Sequence, residues 1–314
     1  MAAADTAGGT FAITAAGNAA AITAVPGNAK GKTAATTPAA SNAVSGKTAV
    51  DRAAVGKRAE DAVSAITAAY AKKTSLSDWE AYGLLLNGGS PPKSYFTALD
   101  KKVKNAKGVF RKVTDYARLA LVYRAAGKNP ARAAGYDLIG KICSFGDIGK
   151  QGANGPIWAL LALNGRTLPK NAKWNVGLLA DEILKYQLPG GGFALSASKN
   201  ASADADITCM AVVALSAAKE AQKDGDRLRK AMDSALGYLA DNADTVKKTS
   251  EAVSQYVIAL CAAGADASAW VDVLLGWRLG DGTFAHEKDG KSDAIATEQA
   301  LLALTAYARG GSVY

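Results

Sequence analysis

The sequence is poor in the residues that usually build metal and nucleophile sites. Its 314 residues include one histidine, His286, and three cysteines, Cys143, Cys209 and Cys261. An odd and sparse set of cysteines is not a disulfide framework, and a structural zinc site needs several Cys or His ligands at close spacing. A lone histidine also leaves a serine or cysteine nucleophile only one possible His base. We therefore expect no metal and no cofactor.

Aromatic residues and long apolar runs are also scarce. Aromatics make up 7% of the chain, whereas 49% of its residues are apolar and many of these are alanine. This composition favours closely packed helices over a sheet. No stretch approaches the roughly 20 uninterrupted apolar residues of a membrane span. The first residues also lack the pattern of a secretory signal peptide, so we expect either a cytoplasmic protein or a chain numbered after processing or truncation.

The charge is positive but dispersed. Lys and Arg number 37 and Asp and Glu number 28, which gives a net charge of +9. The basic residues form no block and are not interleaved with aromatics, as a nucleic-acid-binding surface would require. We interpret the charge as a contribution to solubility, or to weak attraction toward anionic surfaces, and expect no nucleic-acid partner.

The chain divides by composition at about residue 47. Residues 1–46 are rich in Ala, Thr, Gly, Asn and Ser and contain two similar segments, AITAAGNA and AITAVPGNA. Such a segment is typical of a flexible linker. The alternative is the remnant of a small β module, because the Gly-Asn pairs indicate turns between short strands.

Residues 47–314 contain a helical repeat. Six apolar runs recur at intervals of roughly 40 to 50 residues, and each opens with a residue that can cap a helix. Several close at Gly, which is common at a helix C-terminus. The runs are apolar nearly all round, as expected of helices buried on more than one side. They begin at Ser77, Thr114, Asn154, Asp206, Ser250 and Asp293.

Six more segments with amphipathic spacing alternate with the apolar runs. They fall near residues 51–73, 94–106, 131–143, 174–187, 224–241 and 268–278. A chain that alternates outer and inner helices six times can close into a ring, which needs no capping repeat. The sequence therefore predicts an all-α fold, an (α/α)6 toroid of six inner and six outer helices, preceded by a low-complexity arm.

Two segments carry a resemblance to a known superfamily. YQLPGGGFALSASKNASADADITCMAVVAL and GWRLGDGTFAHEKDGKSDAIATEQALLAL each place a Gly-x-aromatic turn between two helices. They resemble repeats of the terpenoid cyclase and protein prenyltransferase toroids, the squalene-cyclase-like repeats. In that motif a Gln precedes the glycines and can cap the outer helix. The corresponding residues here are Gln187, Gly191, Gly192 and Phe193, and then Trp277 or Arg278, Gly282, Thr283 and Phe284.

The resemblance implies two chemistries for the segment DADIT. Class II terpene cyclases protonate an alkene with the middle acid of an Asp-x-Asp-Asp-Thr motif, and Asp206 would be that proton donor, with Asp204 beside it. Ile207 replaces the last acid of the motif. Such a donor must be held protonated in an apolar cavity. The alternative is that Asp204 and Asp206 cap the positive end of an inner helix, which is the interpretation we favour.

Prenyltransferases of this superfamily use a zinc held by Asp, Cys and His. Asp206 and Cys209 are similar to the first two ligands, but their spacing differs by one residue, and no histidine stands near Glu298. We therefore expect neither that zinc nor that activity. His286 lies in the polar segment AHEKDGKSD and is expected on a surface loop.

Other candidate residues fall near the starts of the apolar runs. Glu80, Glu251 and Glu298 could project acid into a central mouth and bind a polar or cationic ligand, although acids in a first helical turn are also ordinary. Aromatic residues at the same mouth could add contacts to a ligand. These candidates are Trp79, Trp158, Phe193 and Phe284.

Three further runs are SDWEAYGLLLNGG, TDYARLALVYRAAGKNP and KQGANGPIWALLAL. Through them the chain most resembles the non-catalytic toroid domains of bacterial surface proteins and, more distantly, the helical domain of cobalamin carriers. The resemblance implies a ligand-binding or interaction domain of a secreted or cell-surface protein. Its partner would be a small hydrophobic or corrinoid-like ligand, or a protein or cell-wall component. The alternatives are a terpenoid cyclase-like isomerase that uses Asp206, and a structural spacer.

Overall fold

The computed structural model describes residues 50–219 and 225–314. This part of the chain is predominantly α-helical, which agrees with the all-α class expected from the sequence. The predicted linker or β module at residues 1–46 lies outside the described residues.

Apolar and amphipathic helices alternate along the described chain. The apolar helices are α2 (Asp78–Leu86), α4 (Val113–Ala125), α6 (Asn154–Leu163), α8 (Ala205–Lys219), α11 (Ser250–Ala263) and α13 (Ala294–Arg309). The helices between them are α1 (Arg52–Ala71), α3 (Lys93–Asn105), α5 (Leu138–Cys143), α7 (Val176–Leu184), α9 (Gly225–Asp241), α10 (Ala243–Val246) and α12 (Ser268–Leu275). Short 3-10 turns occupy Pro130–Arg132 and Ile148–Gln151.

One expected helix is much shorter than its sequence pattern. Residues 131–143 were predicted to be helical throughout, but only Leu138–Cys143 forms an α-helix, after a 3-10 turn. Ala134 and Gly135 both have positive φ, 49° and 95°, and this backbone interrupts a right-handed helix.

Side-chain caps begin most of the apolar helices. The Ser77 hydroxyl accepts hydrogen bonds from backbone N–H groups in the first turn of α2. The Glu80 carboxylate accepts one from the Ser77 N–H, which completes a capping box. Thr249 caps α11 and Asp293 caps α13. Thr114 and Asn154 do not act as caps, because α4 begins one residue before Thr114 and α6 begins at Asn154 itself.

Hydrogen bonds join like ends of two pairs of neighbouring apolar helices, α2 with α13 and α8 with α11, and each pair therefore runs parallel. At the C-terminal ends, Asn87 after α2 donates to the Thr305 hydroxyl of α13 (3.0 Å), and Ser216 of α8 donates to the Ala262 carbonyl of α11. At the N-terminal ends, the Ser77 hydroxyl donates to Glu298 of α13. Each apolar helix contacts the next in the chain, and α13 also contacts α2.

The two Gly-x-aromatic turns have the same hydrogen bonds. Phe193 and Phe284 are fully buried, and the N–H of each donates to a threonine hydroxyl, of Thr208 (2.8 Å) and of Thr297 (3.0 Å). Each threonine hydroxyl donates in turn to the carbonyl of the aspartate four residues earlier. Gly191 has φ +90°, and a Cβ there would lie 2.4 Å from the Ser234 carbonyl oxygen, so only glycine fits.

The second turn continues into a small hairpin. Strand β1 (Phe284–Ala285) pairs antiparallel with β2 (Ser292–Asp293), and the hairpin leads directly into α13. Gln187 of the first turn does not cap its outer helix. Its side chain donates to the Gly191 carbonyl (2.9 Å) and to the Ala231 carbonyl of α9 (2.8 Å). The glutamine therefore ties the turn to the following outer helix.

Aromatic rings connect helices that are not neighbours in the chain. The rings of Trp79 on α2 and Trp158 on α6 lie 6.0 Å apart, although α4 packs between these helices. Trp158 also meets the ring of Tyr314 edge-on at 5.8 Å. These aromatic side chains therefore link α2 and α6 with the C-terminal residue of the chain.

Candidate functional site

The N-terminal ends of the apolar helices bring acidic side chains together. We call this end of the helices, marked by Glu80, Asp206, Glu251 and Glu298, the acidic face. Three of the four side chains are almost fully buried, with 5–6% of their surface exposed. Burial of a carboxylate is costly unless it is paired or hydrogen-bonded, so the partners of each acid determine what this face can do.

Asp204 is a helix cap. Its Oδ1 accepts the N–H of Ile207 at 2.9 Å, at the first turn of α8. An N-cap acid satisfies a free amide and also lies favourably at the positive end of the helix dipole. The capping interpretation therefore applies to Asp204.

Asp206 has a different environment. Its Oδ1 is buried and has no hydrogen-bond partner in the structure. Burial, together with the nearby charges of Asp204 and Glu251, raises the pKa of Asp206 to about 7. A carboxyl group with such a pKa can hold or release a proton near neutral pH.

Glu251 pairs with the single histidine. His286 Nδ1 lies 2.8 Å from Glu251 Oε1 and 2.9 Å from Oε2, and the Ser250 hydroxyl lies 3.2 Å from Oε2. The hydrogen bond to Glu251 raises the pKa of His286 above its usual value. His286 is on an exposed loop, as expected, but its ring is tied to a buried carboxylate.

A second cluster joins the start of α2 to the start of α13. Lys73 forms an ion pair with Glu80, and the Ser77 hydroxyl donates to Glu298. The Lys73 ammonium also lies 5.0 Å from the centre of the Tyr70 ring, a cation–π distance. Burial raises the pKa of Glu298 to about 7, with the Glu80 charge adding to the shift while Ser77 and Lys73 oppose it.

An open groove borders this second cluster. It has a volume of about 610 Å³ and is lined by residues 72–77 and by Glu80. The Tyr70 hydroxyl is buried nearby without a hydrogen-bond partner, and the pKa of Tyr70 is raised by burial and by the charges of Glu298 and Glu80. The groove thus gives solvent access to the ion pair of Lys73 with Glu80, whereas Glu298 and Tyr70 belong to the same cluster but do not line the groove.

The aromatic candidates fall into two groups. Phe193 and Phe284 are fully buried in the core, so in this structure their rings are not available to a ligand. Trp158 is 3% exposed, and Trp79, which is partly exposed, lies against it. Of the four aromatics predicted to contact a ligand, Trp79 alone retains appreciable exposure.

Sequence reasoning missed several residues of the acidic face. Lys73 and Tyr70 lie at the end of α1, and only the three-dimensional packing brings them against Glu80 and Glu298. A capping box of the form Ser-x-x-Glu at Ser77 was a readable signal. The pairing of His286 with Glu251 spans 35 residues and has no local signal.

The remaining cysteines and carboxylates form no obvious metal centre. Cys143, Cys209 and Cys261 are free and buried. Among residues 50–219 and 225–314, no group of three His, Cys, Asp or Glu side chains is arranged to hold a metal ion. Within the same ranges, no helix combines the length and the apolar character needed to cross a bilayer.

No family model matches the chain, and neither the curated proteins nor the solved structures include a significant match.

Proposed function

We propose that the chain is a non-catalytic binding or interaction domain with an (α/α)6 toroid architecture, in a secreted or cell-surface bacterial protein. The acidic face would hold a polar or cationic group of a ligand or partner. The observation that carries this proposal is the open groove lined by Lys73 and Glu80, which borders the buried Glu298, while the rings of Trp79, Trp158 and Tyr314 pack against one another.

The toroid part of the proposal is supported by the order of helix contacts. The apolar helices contact one another in sequence, and the last, α13, contacts the first, α2. Amphipathic helices each contact two successive apolar helices, for example α7 with α6 and α8, and α12 with α11 and α13. These are the contacts expected when six inner helices form a closed ring.

Electrostatics supports a cationic or hydrogen-bond-donating partner. The chain's own Lys73 ammonium already pairs with Glu80 and lies over the face of the Tyr70 ring. A carboxylate and an aromatic face are the groups that recognise ammonium ions in proteins. An incoming ammonium or guanidinium could share or replace the Lys73 contacts.

Native mass spectrometry with three separate probes tests this proposal. The probes are a lysine tripeptide, a corrinoid and an uncharged polyprenyl alcohol. We expect wild type to retain the peptide or the corrinoid, and we expect Glu80→Gln and Glu298→Gln to lose it. Glu60→Gln, on the exposed surface of α1, is the matched control and should behave as wild type. A bare protein mass with every probe would instead favour the spacer alternative.

One observation favours a second candidate, a terpenoid cyclase-like isomerase. Asp206 has a pKa of about 7 and an unpartnered buried oxygen, so its carboxyl group can hold a proton near neutral pH. The contacts among Trp79, Trp158 and Tyr314 weigh against it, because they occupy space that a large apolar substrate would need. Retention of the polyprenyl alcohol, followed by turnover that Asp206→Asn abolishes, would establish this candidate over the binding domain.

A further inference from the structure

The C-terminal ends of the apolar helices carry arginines without acidic partners. Arg124 lies in the last turn of α4, Arg309 ends α13, and Arg166 follows α6. Across residues 50–219 and 225–314, no carboxylate side chain forms an ion pair with any of the three. This end of the helices is opposite to the acidic face.

Arg124 and Arg166 are only partly exposed, and each has a buried, unsatisfied group. The Nε atoms of both side chains are buried without a hydrogen-bond partner. Arg124 Nη1 donates to the Asn164 carbonyl at 3.3 Å, which places its guanidinium beside the turn that leads to Arg166. Each guanidinium therefore retains donor capacity that the protein does not use.

The two guanidinium groups also repel each other. Burial lowers the pKa of Arg124, and the Arg166 charge lowers it further, whereas Tyr82 opposes the shift. An unpaired, partly buried charge beside a like charge is unfavourable. Attraction to the carbonyls at helix C-termini explains the position of the Arg309 guanidinium, which donates a hydrogen bond to the Leu86 carbonyl. The same attraction does not explain Arg166, because the buried Nε of Arg166 has no acceptor.

We propose that Arg124 and Arg166 form a binding site for a phosphate group, which is either free or carried by a phosphorylated ligand. Guanidinium forks match the oxygens of phosphate in geometry and form charge-assisted hydrogen bonds with them. A phosphate carries a charge of about −1.5 to −2 near neutral pH, which balances the charges of two guanidinium groups. A single carboxylate would leave one guanidinium charge uncompensated. The site is independent of the binding function proposed for the acidic face.

Thermal unfolding with inorganic phosphate as the probe tests the site. Melting temperature is measured against phosphate concentration at constant ionic strength, with chloride as the replaced anion. Wild type should be stabilised by phosphate, and Arg166→Gln should lose most of that shift, with about tenfold weaker phosphate binding by calorimetry. Arg229→Gln, an exposed arginine that pairs with Asp226 at 3.2 Å, is the matched control and should keep the shift.

A measurement without phosphate separates this site from a structural role. If Arg166 repels Arg124, Arg166→Gln should be at least as stable as wild type in chloride alone. Arg166→Lys should bind phosphate more weakly than wild type, because it keeps the charge but lacks the fork. The proposal is overturned if phosphate stabilises wild type and Arg166→Gln equally, if acetate at the same ionic strength reproduces the full shift, or if phosphate has no more effect than chloride.

Discussion

Asp206 differs from the helix-capping role that the sequence analysis favoured for it. Asp204 and Asp206 are two residues apart, yet only Asp204 caps α8, while Asp206 has a buried oxygen without a partner. Burial and the neighbouring carboxylates keep Asp206 protonated to higher pH than in an unfolded chain. A group whose pKa is higher in the folded state makes the protein less stable as pH rises from the unfolded pKa to the folded pKa.

The first prediction concerns the pH dependence of stability. Wild type should lose stability as pH rises from about 4 to about 7, and Asp206→Asn should remove part of that loss. Near pH 8 the variant should exceed wild type by about 1 to 3 kcal/mol, and below about pH 4 the two should be similar. Urea unfolding across this pH range measures the difference.

The exposed Asp233→Asn on α9 is the control for Asp206→Asn and should follow wild type. If the difference in stability between Asp206→Asn and wild type stays the same from about pH 4 to about pH 8, or shifts in favour of wild type as pH rises, then the assignment of a raised pKa is wrong.

The second prediction uses the single histidine of the chain. Because His286 is alone, its ring protons give an unambiguous NMR titration. The bond to Glu251 should raise the pKa of His286 above the usual 6.5, and Glu251→Gln should return it toward that value. The favourable ion pair is present at low pH and is lost as pH rises through the raised pKa. An unchanged titration in Glu251→Gln would show that the pair is absent in solution.

At the scale of elements, the two Gly-x-aromatic turns fix the starts of α8 and α13. In each turn one threonine hydroxyl accepts from a buried phenylalanine N–H and donates to the carbonyl of the capping aspartate. The turn, the helix cap and the aromatic core residue therefore form one unit. This unit also determines where Asp206 and Glu298 lie, since each follows a capping aspartate by a fixed number of residues.

The third prediction is made for this unit. Thr208→Val should lower stability by about 1 to 3 kcal/mol, because it leaves the buried Phe193 N–H without an acceptor. Thr208→Ser keeps the hydroxyl and should lose much less. Chemical unfolding of the two variants gives the comparison, and a loss in Thr208→Ser with none in Thr208→Val would mean that the threonine methyl, not its hydroxyl, matters.

The apolar helices were predictable because their signals are local. Apolar periodicity, caps such as Ser77 and closing glycines such as Gly264 lie within each helix. The acidic face was predictable only as a set of helix starts. Its pairings, Lys73 with Glu80 and Glu251 with His286, depend on how separate elements pack. The unpaired arginines gave no signal either, because a last-turn arginine is ordinary helix composition.

At the scale of the whole molecule, parallel packing of the apolar helices separates charge. Their N-terminal ends carry Glu80, Asp206, Glu251 and Glu298, and their C-terminal ends carry Arg124, Arg166 and Arg309. Acids at helix N-termini and bases at C-termini compensate the helix dipoles, which all point the same way in a parallel set. The two proposed sites, one for a cationic group and one for phosphate, follow this polarity.

The central proposal is that the six apolar helices form a closed ring, which requires α13 to pack on α2. A double-mutant cycle of Asn87→Ala and Thr305→Val tests it directly, because the two side chains are 218 residues apart and share a 3.0 Å hydrogen bond. We predict a coupling free energy of about 0.5 to 1.5 kcal/mol by urea unfolding, with Asn87→Ala and Thr208→Val as an additive control pair. Additive effects of Asn87→Ala and Thr305→Val would contradict the closed ring.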